Sequence, residues 1–492
     1  MKGRRLGGGK GMRQRVAQLS FAELEFERQR VQLDPALRRI SDFLDAHCEL
    51  SQWVQADLQR GLKRPHTGRR GLTGEQVLRC LLLWRIKNWS YRELCSRIAD
   101  GYTLRQFTRV GAEPVPAADA FQRSFSRLQP DTIRWINDAL IRATVGLKIE
   151  DGAQLRVDTT VVESNIHYPS DSALLWDGIR TITRLVLEHL EPCLVGVAAD
   201  FPDRRRRARR RMQELARMHD RRGKHERSFR RKYSDLLTVA CEVTARAKRV
   251  IDHAREMAVS GPAERLLIDA LRQEIVHYSK LTDQVIDQTR RRIFAGETVP
   301  AEQKLYSLFE PHTDLIKRGK ARKPVEFGHK VFLAESRVGL ITDYRVLRGN
   351  PPDSDQVASS LENHQRLFAR APKLYAADRG FDHPAARDLC EKIGVVELCI
   401  PQRGGKLGAV RAATQHSRRF KAGQRYRAGI EGTISMLLRG RGMRRCLFEG
   451  PIRFELLVGA SVLTANLLRL ATLLQRRGRK RQPPRQSLKR AA

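Results

Sequence analysis

Gln154-Leu155-Arg156-Val157-Asp158-Thr159-Thr160-Val161-Val162 alternates in polarity and is crowded with β-branched residues, the pattern of a β-strand. On either side of it the period is helical. Upstream, residues 20–62 carry a stripe of Leu37, Ile40, Phe43 and Leu44, and 63–71 reads as a polar linker. Thr73-Gly74-Glu75-Gln76 has the form of a capping box leading into Val77, Leu78, Leu81 and Leu82. Ser90-Tyr91-Arg92-Glu93 repeats that form before Leu94 and Ile98. Two short helices joined by a tight turn resemble a helix-turn-helix, and equally a pair within a small helical bundle. Downstream, helices are predicted from about 171 to 296. Ile179, Ile182, Leu185, Val186 and Leu190 mark one, and Leu267, Leu271, Tyr278, Leu281 and Val285 mark a later one suited to an antiparallel helical hairpin.

Strands resume at 325–335 and 339–347, joined by a turn at Ser336-Arg337-Val338 and ended by Gly349-Asn350-Pro351-Pro352. Asp353-Ser354-Asp355-Gln356 is placed to cap a helix running to about 369. A strand at 373–377 stops at Asp378. A helix (384–393), an apolar strand (395–400), a basic Gly-containing loop (402–425) and helices at about 427–439 and 452–475 complete the pattern. With the helical block set aside, a strand, a hairpin and alternating helices and strands predict an α/β fold, a mixed sheet flanked by helices, compatible with an RNase H-like core.

The 492 residues predict roughly two to four compact units. Ninety-three Lys and Arg stand against 55 Asp and Glu, a formal net charge of +38. Self-repulsion of this size works against compaction, and a polyanion relieves it. Arg204, Arg205, Arg206, Arg207, Arg209, Arg210 and Arg211 fill seven of eight positions, and Arg221, Arg222, Lys224, Arg227, Arg230, Arg231 and Lys232 follow. With few acidic residues nearby in sequence, these runs read as solvated helix faces that lie along a DNA backbone. Arg476, Arg477, Arg479, Lys480 and Arg481 read as part of a flexible basic arm. Double-stranded DNA is the expected partner, not a membrane. The apolar stretch 456–468 is too short to span one, contains Asn466, and reads as a buried helix. Residues 1–15 lack the apolar core of a secretory signal. The eight Cys include no Cys-x-x-Cys pair, so a zinc finger and a disulfide scaffold are not expected and a reducing cytoplasm is.

Three carboxylates have settings suited to chemistry. Asp158 interrupts an apolar strand, where a carboxylate needs a partner or a cation. Asp378 ends a strand, where ligands of open α/β sheets collect, and Gly380 lets the backbone turn away. Glu431 lies one helical turn beyond Arg427, with Arg439, Arg441, Arg444 and Arg445 close behind. Each also has a plainer reading: a salt-bridged strand residue, an Asx-turn or cap, and a surface ion pair. Asp382 competes with Asp378 and is the better helix-cap candidate. No Gly-rich P-loop is present.

Together these stretches resemble the DDE transposases of bacterial insertion sequences, especially the ISNCY kind. Val157-Asp158-Thr159-Thr160-Val161-Val162-Glu163 is similar to the first-strand Asp motif, and Tyr375-Ala376-Ala377-Asp378-Arg379-Gly380-Phe381 to the second. Arg427-Ala428-Gly429-Ile430-Glu431 is similar to the Arg-x-x-x-Glu helix signature. Phe309-Glu310-Pro311-His312-Thr313, Gly319-Lys320 and Lys323-Pro324-Val325-Glu326-Phe327-Gly328-His329-Lys330-Val331 are similar to the entry into the second strand. The likeness covers roughly 72–170 and 305–470. It implies an RNase H-like catalytic domain (151–170 and 323–475) and a basic helical insertion (171–322). A basic N-terminal arm with helices (1–70), a helix-turn-helix-like DNA-binding domain (71–150) and a basic disordered tail (476–492) complete the division. It implies that Asp158, Asp378 and Glu431 hold two Mg²⁺ ions, with Mn²⁺ an alternative, about 4 Å apart. Asp158 would bridge both, and the enzyme would cleave insertion-sequence ends and join the freed 3′-OH strands to target DNA. Arg427 would contact a phosphate near the scissile bond, Tyr426 a base or sugar, and Arg439 or Arg441 would supply the basic residue that follows Glu431. Thr159 and Glu163 would support the carboxylates. A homodimer or higher oligomer on DNA, in a bacterial cytoplasm and nucleoid-associated, is the expected setting. The alternatives are an RNase H-like nuclease that cuts without joining, and a non-catalytic DNA-binding remnant.

Overall fold

The computed structural model describes residues 32–64, 67, 71–218, 225–257, 259, 261–317 and 324–481. The chain divides into two compact units, residues 1–162 with 330–492, and residues 163–329. The first unit opens with α1 (Pro35–Ala46), α2 (Glu49–Gln59), α3 (Gly74–Lys87), α4 (Tyr91–Asp100), α5 (Tyr102–Thr108), α6 (Ala118–Phe125) and α7 (Pro130–Gly146), then β1 (Gln154–Ser164). The box predicted at Thr73 forms in both directions: its hydroxyl accepts from the Gln76 N–H at 3.1 Å, and Gln76 Oε1 accepts from the Thr73 N–H at 3.0 Å. The box predicted at Ser90 forms by half. Ser90 Oγ accepts from the Glu93 N–H, while the Glu93 carboxylate pairs with Arg97 one turn on. Leu37, Ile40, Leu78, Leu81, Leu94 and Ile98 are all buried.

The second unit is built on α8 (Asp171–Arg184), α9 (Arg205–Arg217), α10 (Glu226–Glu256) and α11 (Pro262–Thr289). Ile179, Ile182, Leu185, Val186 and Leu190 are buried as their spacing predicts. On α11 the stripe holds at Val285, which is buried, and at Leu271, Tyr278 and Leu281, which pack against the same core; only Leu267 is corrected, being 51% exposed, and Ile268, Ile275 and Ile286 are buried beside the others. Where α8 meets α11, a Cβ on Gly178 would lie 2.3 Å from the Thr282 hydroxyl, so only a glycine admits this approach.

β3 (Val325–Ser336) begins in the second unit, where it pairs antiparallel with β2 (Asp314–Lys317), and ends in the first, where it pairs antiparallel with β4 (Ile341–Leu347). The chain continues through α12 (Gln356–Phe368), β5 (Leu374–Ala376), α13 (Pro384–Ile393), β6 (Glu397–Cys399), α14 (Ala409–His416), α15 (Arg418–Ala428), α16 (Ile430–Gly440), β7 (Arg445–Cys446) and α17 (Pro451–Arg481). The sheet runs β2-β3-β1-β5-β6, with β4 on β3 and β7 on β1; β1, β5 and β6 are parallel neighbours. Leu155, Val157, Tyr375 and Ala377 bury one face against Val357 and Leu361 of α12 and Ala386 and Cys390 of α13. Leu374, Ala376 and Cys399 bury the other against Phe420 of α15. The architecture is therefore a mixed α/β sheet flanked by helices.

Three expectations about this region are corrected. Much of 402–425 is helical, because Ser417 caps α15 through the Phe420 N–H. Gly423, which reads as a loop signal, lets α15 close on β6, where a Cβ would sit 2.3 Å from Cys399 Sγ. The helix expected at 427–439 is broken at Gly429. Residues 476–481 continue α17, while 482–492, like 1–31, the basic positions 221, 222 and 224, and the Gly-Lys pair 319–320, lie outside the described residues. α17 is also the one described helix long and apolar enough to cross a membrane. Its most apolar window has a mean hydropathy of 1.7 and is 78% buried inside the fold, with Val458, Val462 and Leu463 in the same core as Leu140 and Ile141 of α7.

Candidate active site

The parallel register of β1 and β5 sets the first two carboxylates side by side. Arg156 pairs with Ala376, so Asp158 and Asp378 each lie two residues further along neighbouring strands, on the face that packs against α15. Asp158 is 8% exposed, and its Oδ1 accepts from the Thr159 N–H at 2.7 Å. Asp378 stands just past the carboxyl end of β5, where its Oδ1 accepts from the Gly380 N–H at 2.8 Å, an Asx-turn. Asp382 is not the cap of α13, whose first turn has no side-chain cap. Burial works to raise the Asp382 pKa, but the Arg403 N–H, Arg411 and Arg387 hold it below the ordinary carboxylate range.

Glu431 reaches the same place from α16. The Arg427 guanidinium, at the end of α15, lies 2.9 Å from Asp158 Oδ2, 3.0 Å from Glu431 Oε1 and 3.9 Å from Asp378 Oδ2. One cation thus joins three carboxylates, one within β1, one just past β5 and one on α16. The break between α15 and α16 is fixed from beneath. Glu335 of β3, 1% exposed, holds Arg156 through two oxygens at 2.8 and 3.1 Å and accepts from the Thr433 hydroxyl at 2.9 Å. Arg156 Nη1 donates to the Tyr426 carbonyl at 2.7 Å, and its guanidinium lies over the Tyr426 ring. A Cβ on Gly429 would be 2.1 Å from that Nη1.

Tyr426, expected to contact a base or sugar, is half-buried: its hydroxyl donates to the Gln154 and Glu335 carbonyls, burial pushes its pKa up, and it supports the site from the sheet side. Arg441 is half-buried and donates to the Ile86 carbonyl at 2.6 Å, whereas Arg439 is exposed. Asp353, read as a helix cap, is a further group at the site. Its Oδ1 takes the Thr159 hydroxyl at 3.0 Å and Lys330 Nζ at 2.7 Å, and a Cβ on Gly380 would meet its Oδ2 at 2.8 Å and Asp378 Oδ1 at 3.0 Å. The one hint in the sequence is a carboxylate just beyond a Pro-Pro turn, which capping explains as well. Glu163 is half-buried where β1 passes into the second unit.

The donor set suits a hard divalent cation, since all three groups are carboxylates with no thiolate or imidazole among them. Among the described residues no group of three acidic, His or Cys side chains is gathered tightly enough to chelate an ion as it stands. The positive charge at the centre belongs to Arg427, whose buried Nε has no hydrogen-bond partner. Glu431, with its side chain 65% exposed, has room to re-aim.

In the second unit the Arg run is not uniformly solvated. Arg204 pairs with Glu242 at 3.2 Å, Arg205 with Asp203 and Glu188, Arg207 with Asp235, and Arg211 with Asp235 and Glu214. The compensating carboxylates of Asp235 and Glu242 come from α10, distant in sequence. Arg206, Arg209 and Arg210 are exposed and make no ion pair among the described residues. Glu310, His312, His329 and Asp314 of the same unit form a hydrogen-bonded chain with links of 2.5, 2.6 and 2.9 Å. Comparison of the chain with protein-family models, with curated proteins and with solved structures gave no match.

Proposed function

We propose that this protein is a DDE-type DNA transposase with an RNase H-like catalytic unit. The observation that carries the reading is the meeting of Asp158, Asp378 and Glu431 around one guanidinium, just beyond the parallel pairing of β1 with β5. A hairpin leading into parallel strands, with helices on both faces, is compatible with such a core. In this reading Asp158, Asp378 and Glu431 hold divalent cations, Mg²⁺ in the first place, which when bound activate the attacking oxygen and stabilise the leaving one. Asp158 is the rigid member, fixed by the sheet, and Glu431 the adjustable one. Arg427 holds the three carboxylates close before cations bind. Once its charge is no longer needed there, it is free to contact a phosphate. The net charge of +38 and the unpaired Arg206, Arg209 and Arg210 support DNA as the substrate.

The test is a cleavage and strand-transfer assay on the DNA flanking the gene, with Mg²⁺, using Asp158→Ala, Asp378→Ala and Glu431→Ala. Each variant should lose at least a hundredfold in cleavage while binding DNA as the parent does. Near-parental cleavage by any one removes that residue from the set. Cutting without joining by the parent supports the nuclease reading instead, and binding with no cutting the non-catalytic one.

A further inference from the structure

α16, which carries Glu431, also borders a concave cavity of about 430 Å³ within the first unit. Its charged lining is Arg156, Glu335, Arg337, Arg441 and Arg469, with Gly432 and Thr433 of α16 on its wall. Arg156 and Glu335 neutralise each other at 2.8 Å. Arg337, Arg441 and Arg469 make no ion pair with a carboxylate among the described residues. Two of these are held by backbone: Arg469 Nε donates to the Val338 carbonyl at 2.6 Å, and Arg441 Nη1 to the Ile86 carbonyl at 2.6 Å. The Arg441 Nε is buried without a partner. Burial lowers the pKa of both Arg441 and Arg469, and the neighbouring Arg476 adds to the effect at Arg469. Gly339, at φ +81° in the β3–β4 turn, brings backbone against Arg469, where a Cβ would stand 3.0 Å from Nε. Two cations fixed and partly desolvated, Arg441 and Arg469, with the exposed Arg337 beside them and the one nearby carboxylate, Glu335, already engaged by Arg156, raise the energy of the protein unless an anion joins them. Guanidinium groups match phosphate oxygens in geometry, and the volume is that of a small-ligand site.

We propose that this cavity is a phosphate-binding subsite that takes a backbone phosphodiester of the DNA bound by this unit. The inference rests on the DNA-processing reading for the identity of the polyanion, but not for the binding of phosphate. Arg337 reaches in from the surface and is the group most easily removed. Arg469 is the fixed one, and the Arg156–Glu335 pair separates the cavity from the break at Gly429.

The experiment measures binding of a fluorescein-labelled DNA duplex to the full-length protein in EDTA at several salt concentrations, so that cleavage plays no part. The proteins compared are the parent, Arg337→Gln, the Arg337→Gln/Arg469→Gln pair, and Arg38→Gln as a surface control. The pair should weaken binding about tenfold and lower the log–log salt slope by roughly 0.9 for each phosphate no longer neutralised, with Arg337→Gln partway and Arg38→Gln like the parent. An arginine-modification footprint on the unmutated protein, read by mass spectrometry, should show DNA protecting Arg337 and Arg469, which keeps the test intact if the paired variant fails to fold. Parental affinity and slope in a folded paired variant, or no protection in the footprint, overturns the proposal. So does a cavity that inorganic phosphate protects but DNA does not, which assigns it to a free anion. A protein that protects these arginines with DNA yet never cuts would uphold the subsite and remove the transposase reading, so the two fail separately.

Discussion

Gly429→Ala tests the account of how Glu431 is positioned. An alanine is ordinarily the better helix residue by up to about 1 kcal/mol, and Gly429 joins two helices. Here the added Cβ would stand 2.1 Å from Arg156 Nη1, where ordinary contact begins at 3.4 Å, so one side must yield by more than an ångström. Arg156 is not a side chain that swings aside, because Glu335 holds it through two oxygens and the Tyr426 carbonyl holds it through a third bond. The strain therefore falls on the α15–α16 joint. Overpacking of this kind costs roughly 1–3 kcal/mol, and a misplacement of about 1 Å at a reacting group costs on the order of a hundredfold in rate. Denaturant unfolding should show a lower midpoint, and Mg²⁺-dependent DNA cleavage a drop of about that size. Gly432→Ala, on the same helix with nothing within 4 Å of its Cβ, should be neutral or slightly stabilising in the unfolding measurement. A Gly429→Ala protein with the parental midpoint and the parental cleavage rate refutes the packing argument.

Asp353→Ala should lower cleavage by roughly tenfold to a hundredfold with DNA affinity unchanged, since Lys330 and the Thr159 hydroxyl lose their shared anchor beside Asp158 and Asp378; unchanged cleavage places Asp353 outside the site. In the second unit, Arg206→Gln/Arg209→Gln/Arg210→Gln should flatten the salt dependence of DNA binding without moving the unfolding midpoint. Arg207→Gln/Arg211→Gln should cost about 1 kcal/mol or less in stability, because both pairs with Asp235 are partly solvent-screened, and the reverse pattern on unfolding sinks this division of labour. Burial lowers the His364 pKa from 6.5 to about 4, with Nε2 on the Gly152 carbonyl and Nδ1 buried without a partner. The unfolded chain then takes up the proton first. Stability from this residue is complete above pH 6.5 and is lost as pH falls toward 4, by about 3 kcal/mol in all. Unfolding midpoints of His364→Gln should fall less over that window than those of the parent, and parallel curves would dismiss the effect.

Much of this protein is legible in local sequence patterns. The alternation around Asp158 marks β1, and the Thr73–Gln76 box, the β3–β4 hairpin and α13 stand where short-range chemistry puts them, because caps, turns and periodicity act over a few residues. The three carboxylates could be singled out for the same reason, each sitting at a recognisable strand or helix position. What spacing could not reach depends on groups distant in the chain. Gly423 looks like a loop signal, and Gly429 like a position inside a helix, until Cys399 and Arg156 are seen against them. The support that Tyr426 gives the site shows only once the Gln154 and Glu335 carbonyls are seen to hold its hydroxyl, and Asp353 looks like a cap until Thr159 and Lys330 meet it. The Arg run looks uncompensated because Asp235 and Glu242 arrive from another helix. Charge pairing and close backbone approach act through space, over distances of a few ångströms, and residues that neutralise or crowd one another need not be near in sequence.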